Sequence, residues 1–298
     1  SEMCIRDRDA NVYQFIGADN IYFYGVAEMA MFMGLKEGEN TIDPPEGEMQ
    51  LPILCANNHI LFLDKKASSS GAIKPPMAAD LLDFYTPEQL RMHFLGLGLG
   101  QRSVSFMPKP YNPNAKPEDP DPVVKDGFLL SNVFNRIIRT CIYSVQKYFD
   151  GVMPVGEVDE QVLADAKKAI LDYERFMYRF EFHQATYVLD SYIRKASKYM
   201  AKNLGDADKA DDNEARRRAL IQVFHMIRTA AVLLHPMAPQ GTEMILEYLQ
   251  LDKNFWSWDK IFDTISDFTG GKDHKLKFLE PRVDFFTKHQ SQFNTSEE

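Results

Sequence analysis

Cysteine is scarce in this chain, and what there is lies far apart. Cys4, Cys55 and Cys141 form no CxxC pair, which excludes a zinc knuckle and a disulfide framework and fits a reducing, cytoplasmic setting. Long apolar runs are missing too. No stretch approaches the ~20 residues of a membrane span, and no signal peptide is visible, so no membrane partner is expected. Positive charge is in deficit: the formal net charge is −9. That argues against a protein that coats nucleic acid through bulk electrostatics, DNA included, but leaves room for a local basic face. Internal repeats and low-complexity segments are also absent.

What is present is ordinary globular composition, 45% hydrophobic and 26% charged, over 298 residues. That length suits two domains of typical size. Residues 1–8, SEMCIRDR, resemble translated sequencing-adapter read-through and are set aside as a non-native end. Asn11 to Ile16 is short, β-branched and aromatic and stops at Gly17, which predicts a buried strand ending in a turn. Asp19 and Asn20 can cap a helix over Ile21 to Gly34. Leu54 to Ala56 and Ile60 to Leu63 read as strands around Asn57–Asn58, and Thr86-Pro87-Glu88 as a helix start with a threonine cap. Six prolines between Pro108 and Pro122 mark a boundary.

Beyond that boundary long amphipathic helices take over. Val133, Phe134, Ile137, Ile138, Cys141, Ile142 and Val145 fall on one helical face. Glu160 to Arg179, Phe182 to Met200, Ala215 to Leu234 and Ala238 to Leu249 continue as helices of bundle length, and 251–298 reads as a less regular tail. His183, His225 and His235 are expected to be satisfied structural histidines. Met29, Met31 and Met33 are read as core, and so are Trp256 and Trp258.

Two stretches could carry chemistry. A strand-to-helix turn at Gly17-Ala18-Asp19 is where open α/β sheets bind ligands: backbone N–H groups can face an anion and a carboxylate can hold ribose hydroxyls. As a bare motif it is first of all a helix cap. The loop Lys65-Lys66-Ala67-Ser68-Ser69-Ser70-Gly71 offers ammonium groups and hydroxyls suited to a departing polyphosphate, although by composition alone it is a solvated surface loop.

Order and spacing join these blocks. VYQFIGADNIYFYGV, LPILCANNHILFLDKKASSSG and DLLDFYTPEQLRMHFL occur in the sequence seen in class I aminoacyl-tRNA synthetases, and they most resemble methionyl-tRNA synthetase. There the pattern is a strand ending FIGKD, a strand before a KMSKS loop, and a helix with D-x-L-R. SNVFNRIIR resembles the helix that opens that family's anticodon-binding bundle; FDGVMP and the terminal LEPRVD also have counterparts. The resemblance spans about residues 9–286.

It implies α/β followed by all-α: a truncated Rossmann-like parallel nucleotide-binding sheet, then a helical anticodon-binding bundle. The implied division is 9–72 for the end of the catalytic domain, 73–125 for a connecting stem-contact segment, 126–250 for the anticodon-binding domain and 251–298 for the tail. By the same resemblance Gly17, Asp19 and Lys66 bind ATP, and Asn20, Phe23 and Tyr24 line a methionine pocket. Lys66, Ser68, Ser69 and Ser70 form the catalytic loop, and Asn135, Arg136 and Arg139 meet the anticodon. ATP with its Mg²⁺, methionine and tRNA are the implied ligands, with no zinc site in this segment. The family's HIGH signature and zinc-bearing insertion have no counterpart here, so the chain is expected to be the C-terminal part of a longer ligase, inactive alone. Departures are Ala18 for a lysine, Tyr24 for a histidine, Ser69 for the second loop lysine, and MAKNLGDAD after Tyr199 where the family often carries a stacking tryptophan. They keep two alternatives open: a non-catalytic tRNA-binding paralogue, and a class I ligase for another apolar amino acid.

Overall fold

The computed structural model describes residues 11–34, 50–66 and 74–293. Ser68, Ser69 and Ser70 lie outside the described residues. The chain divides into two compact units, one of residues 1–75 and 98–107, the other of 76–97 and 108–298.

The first unit is α/β. Strand β1 (Tyr13–Gly17) pairs in parallel with β2 (Ile53–Asn57), Tyr13 opposite Ile53 and Gly17 opposite Asn57. The helix after β1 starts in π geometry over Tyr22–Ala27 and continues as α1 (Glu28–Gly34). Such π turns are rare and recur at functional sites. A second sheet holds β3 (Ile60–Phe62) between antiparallel β4 (Lys65–Lys66) and parallel β5 (Val104–Phe106). Met31, expected in the core, is 65% exposed. Its helix has no fully buried residue, and Met29 and Met33 are half-buried.

The second unit is a helical bundle. After the short α2 (Ala78–Leu81) comes α3 (Pro87–Gly96), which begins as the sequence predicts: the Thr86 hydroxyl accepts from Gln89 N–H at 3.3 Å and the Gln89 side chain accepts from Thr86 N–H at 3.0 Å. Asp121 caps α4 (Pro122–Phe128), which passes through a π turn (Leu129–Phe134) into α5 (Asn135–Tyr148). Helices α6 (Glu160–Tyr178), α7 (Phe182–Ala210), α8 (Asn213–Leu234) and α9 (Pro239–Leu249) complete the bundle. α7 runs past the expected end at Met200. Leu204 and Ala207 carry its buried stripe onward, and the buried Arg216 of α8 donates to Asp208 at 3.1 Å.

The segment after Leu249 is irregular yet belongs to the core. Phe255 and Leu279 are fully buried, Phe286 stacks on Phe134 at 5.8 Å, and β7 (His274–Lys275) pairs with β6 (Val152–Met153). Gly241 of α9 makes room for this segment. A Cβ there would stand 2.2 Å from the Phe286 ring and 2.8 Å from the Phe285 carbonyl.

The histidines differ. His235 lies 2.9 Å from the Thr242 hydroxyl and stacks on Trp256 at 3.9 Å, and His183 lies 3.3 Å from the Gln184 amide. His225 departs from expectation: it is 2% exposed, and neither ring nitrogen has a hydrogen-bond partner among the described residues. Burial, with the Arg228 cation adding to it, lowers its pKa from 6.5 to about 4. The unfolded chain therefore takes up a proton below about pH 6.5 that the folded chain refuses until about pH 4. Stability should fall as pH drops through that window, by up to about 1.4 kcal/mol per pH unit from this group. Urea titrations of His225→Leu between pH 4 and 7 should show that slope flattened; a slope equal to the parent's would refute the assignment.

Candidate functional sites

In the first unit, Gly17 closes β1 at the carboxyl end of a parallel strand pair, the edge at which open α/β sheets take ligands. A Cβ on Gly17 would meet the Asp19 carboxylate at 2.6 Å, so glycine lets that carboxylate fold back over the strand end. The Asn20 amide donates to Asp19 Oδ1 at 3.3 Å, and Lys66 Nζ lies 3.8 Å from Asp19 Oδ2. The strand-end turn and the start of the basic loop thus converge, bringing a carboxylate, an amide and an ammonium group together at an open surface. Phe23 and Tyr24 are 63% and 40% exposed on the π turn, and the Phe23 ring packs edge-on against Tyr22 at 5.6 Å.

In the second unit, one helical stripe forms the floor of a groove of about 670 Å³. Phe128, Ser131, Asn132, Asn135, Arg136, Arg139, Thr140 and Tyr143 recur every three or four residues, and Asp284, Lys288 and Phe293 of the C-terminal segment form the opposite wall. The three residues singled out on α5 play different parts. Asn135 is 3% exposed, and its amide donates to Asp284 Oδ1 at 2.8 Å and to the Ser131 carbonyl at 3.3 Å, while its oxygen accepts from Phe285 N–H at 2.8 Å. It therefore ties the C-terminal segment to α5. Arg139 also reaches Asp284, at 2.7 Å, and lies 5.9 Å from the Tyr143 ring. Arg136 is exposed, donates only to the Ser197 hydroxyl at 3.2 Å and has no carboxylate partner among the described residues. Two of the three named side chains thus meet in one cluster and the third stands beside it.

Asp284 closes the LEPRVD block of the resemblance but carried no expected role, and Lys288 and Phe293 belong to no motif of the sequence. They lie roughly 150 residues from the helix they face, and no local pattern announces such a partner.

Residues 151–290 match the family model described as the anticodon binding domain of methionyl tRNA ligase. Over most of its length the chain is similar to methionine--tRNA ligases. It is 21% identical over 250 residues to the methionine--tRNA ligase of Bacillus anthracis, covering 84% of this chain and 42% of that protein. With the methionine--tRNA ligase of Pyrococcus horikoshii it shares 24% identity over 252 residues, 83% of this chain and 33% of the other. The chain thus spans a third to two fifths of these curated relatives. Among solved structures, Mycobacterium tuberculosis methionyl-tRNA synthetase bound by methionyl-adenylate superposes with a TM-score of 0.72 at 21% identity, over 96% of this chain and 52% of the other. The fold is therefore that of the synthetases' α/β and helical C-terminal parts. The matched region begins after α5 and includes Asp284 and Lys288, so the family match covers one wall of the groove.

Proposed function

We propose that this chain serves a methionine--tRNA ligase, its helical unit holding tRNA through the anticodon loop and its α/β unit contributing to an ATP and methionine site. The observation that carries the reading is the match of residues 151–290 to the anticodon binding domain, set beside a groove whose walls present Arg136, Arg139 and Lys288.

Within that function the roles follow from side-chain chemistry. Asp19, held over Gly17, accepts hydrogen bonds from ribose hydroxyls. Lys66 gives positive charge to the phosphates, and its pairing with Asp19 orients it toward the same ligand. Asn20, Phe23 and Tyr24 border the amino acid. Lys66 with Ser68, Ser69 and Ser70 accompanies the departing pyrophosphate. Methionine's carboxylate attacks the ATP α-phosphate, pyrophosphate leaves, and a ribose hydroxyl of tRNA then displaces AMP from the adenylate. Catalysis of this kind is mainly positioning and charge stabilisation. Mg²⁺ would accompany ATP, bound through the nucleotide's own phosphates.

Gel-shift titration tests the RNA half of the reading. A methionine-accepting tRNA should bind at least about tenfold more tightly than the same tRNA with its anticodon loop replaced. Equal affinity for the two would overturn it. Ser69, neutral where a second lysine is expected, favours a second reading in which the protein binds tRNA without catalysis; Tyr24 favours another apolar amino acid. Methionine-dependent exchange of pyrophosphate into ATP, measured on the protein at the length of its relatives, separates the three.

A further inference from the structure

Two grooves of the helical unit share one side chain. The second groove, of about 630 Å³, lies between α3, α4 and α7 and includes Lys125 and Tyr187 in its lining; Phe128 lines both. Phe128 is 47% exposed although its neighbours Gly127, Leu129 and Leu130 are buried. It ends α4 where the π turn begins, so its ring is held out on a rigid helix instead of joining the core. A single exposed aromatic is common, but one fixed between two clefts and flanked by uncompensated cations is a different arrangement.

The charges decide what suits it. Every carboxylate lining the second groove is engaged within the chain: Asp121 accepts from the Tyr85 hydroxyl at 2.6 Å, Asp126 lies 2.7 Å from His93, and Asp190 holds Arg194 at 2.9 Å. Lys125 has no carboxylate partner among the described residues. In the first groove Asp284 is matched by Arg139, which leaves Arg136 and Lys288 without carboxylate partners there. The first cleft is therefore locally cationic on a chain of net charge −9 and carries the half-exposed Tyr143 ring, whereas the second sets Lys125 and Arg194 against three aspartates and carries Tyr187, 70% exposed. Cations interleaved with aromatic faces suit single-stranded RNA, whose phosphates meet the former and whose splayed bases stack on the latter. An acidic peptide would satisfy the cations and leave the rings bare.

We propose that Phe128 is a base-stacking residue: an unpaired base of an RNA loop lies against its ring while the neighbouring phosphates lie in the Arg136 groove. This rests on the tRNA-binding reading and adds to it a particular contact. Lacking a charge, Phe128 should contribute to affinity without altering the salt dependence.

The test uses the full 298-residue chain and an RNA stem-loop with 2-aminopurine in its loop, compared with a duplex of equal length. The chain is expected to bind the stem-loop and to change the 2-aminopurine fluorescence. Phe128→Ala and Phe128→Leu should bind about ten- to a hundredfold more weakly, lose the fluorescence change and keep the slope of log affinity against log salt. Phe128→Trp should keep the signal. If Phe128→Ala and Phe128→Leu bind and report as the parent does, the stacking assignment fails while the tRNA reading stands. If the parent binds neither stem-loop nor tRNA, both fail. Displacement of the RNA by polyglutamate at equal charge would assign the clefts to an acidic peptide and overturn the proposal.

Discussion

Ending the chain after Leu249 is expected to abolish the cooperative fold of the helical unit. Phe255 and Leu279 are fully buried, and Ile261 and Phe286 are 3% and 2% exposed, all in the same core as α5, α8 and α9. Burying a large apolar side chain contributes about 1.5–3 kcal/mol, so these four alone contribute on the order of 6–12 kcal/mol. A domain's whole stability is only about 5–15 kcal/mol. Polar ties would go with them. Asn135 gives up its bonds to Asp284 and Phe285, Gln146 no longer accepts from Leu279 N–H at 2.9 Å, and the buried Arg228 is deprived of the carbonyls of Lys260 and Ile261. An arginine stripped of its acceptors inside a core is strongly destabilising. Thermal denaturation followed by far-ultraviolet dichroism should show no cooperative transition for the truncated chain. A transition at the temperature of the full chain would mean that the segment is an appendage.

Arg136→Ala/Arg139→Ala is expected to weaken tRNA binding by on the order of a hundredfold at low salt, since hydrogen bonds to charged groups contribute about 1.5–3 kcal/mol each. The slope of log affinity against log salt should shrink by roughly 1.4 to 1.8, because two phosphates would no longer be neutralised by the protein. Folding should survive. Among the described residues the exposed Arg136 donates to the buried Ser197 hydroxyl and to no carboxylate, and the Arg139–Asp284 pair is partly solvated, a class of ion pair worth about 1 kcal/mol or less. Asp284 keeps the Asn135 amide as donor in the variant. Anisotropy titrations at several salt concentrations measure both quantities. An unchanged slope would remove these arginines from the phosphate path.

Much of the fold was legible because its signals are local. The Thr86 cap, the proline after it, and the apolar faces of α5 and α8 depend on residues within one or two helical turns of each other. What was not legible depends on partners distant in the chain. The far end of α7 looks like a linker, with Gly205 and several aspartates, until Arg216 is seen to need Asp208. The C-terminal segment shows no periodicity, because its apolar residues enter the core from turns and short helices. The site was read with the same asymmetry. Resemblance picked out Asp19 and Lys66, which the fold places 3.8 Å apart, and pointed to the helix of Arg136 and Arg139. It reached Asp284 only as the end of LEPRVD, without a role, and could not supply Lys288 or Phe128, whose place in the grooves depends on which wall they occupy. Nor could it foresee that Asn135, read as an RNA contact, has its amide engaged by the chain itself.

Chemical footprinting of a methionine-accepting tRNA tests the central claim most directly, that the groove between α5 and the C-terminal segment receives the anticodon loop. With the parent chain, the unpaired loop nucleotides should be protected from base-modifying reagents while the acceptor end stays reactive, and Arg136→Ala/Arg139→Ala should remove the protection. Protection confined to the acceptor stem, or loop protection undiminished in the double variant, would contradict the account.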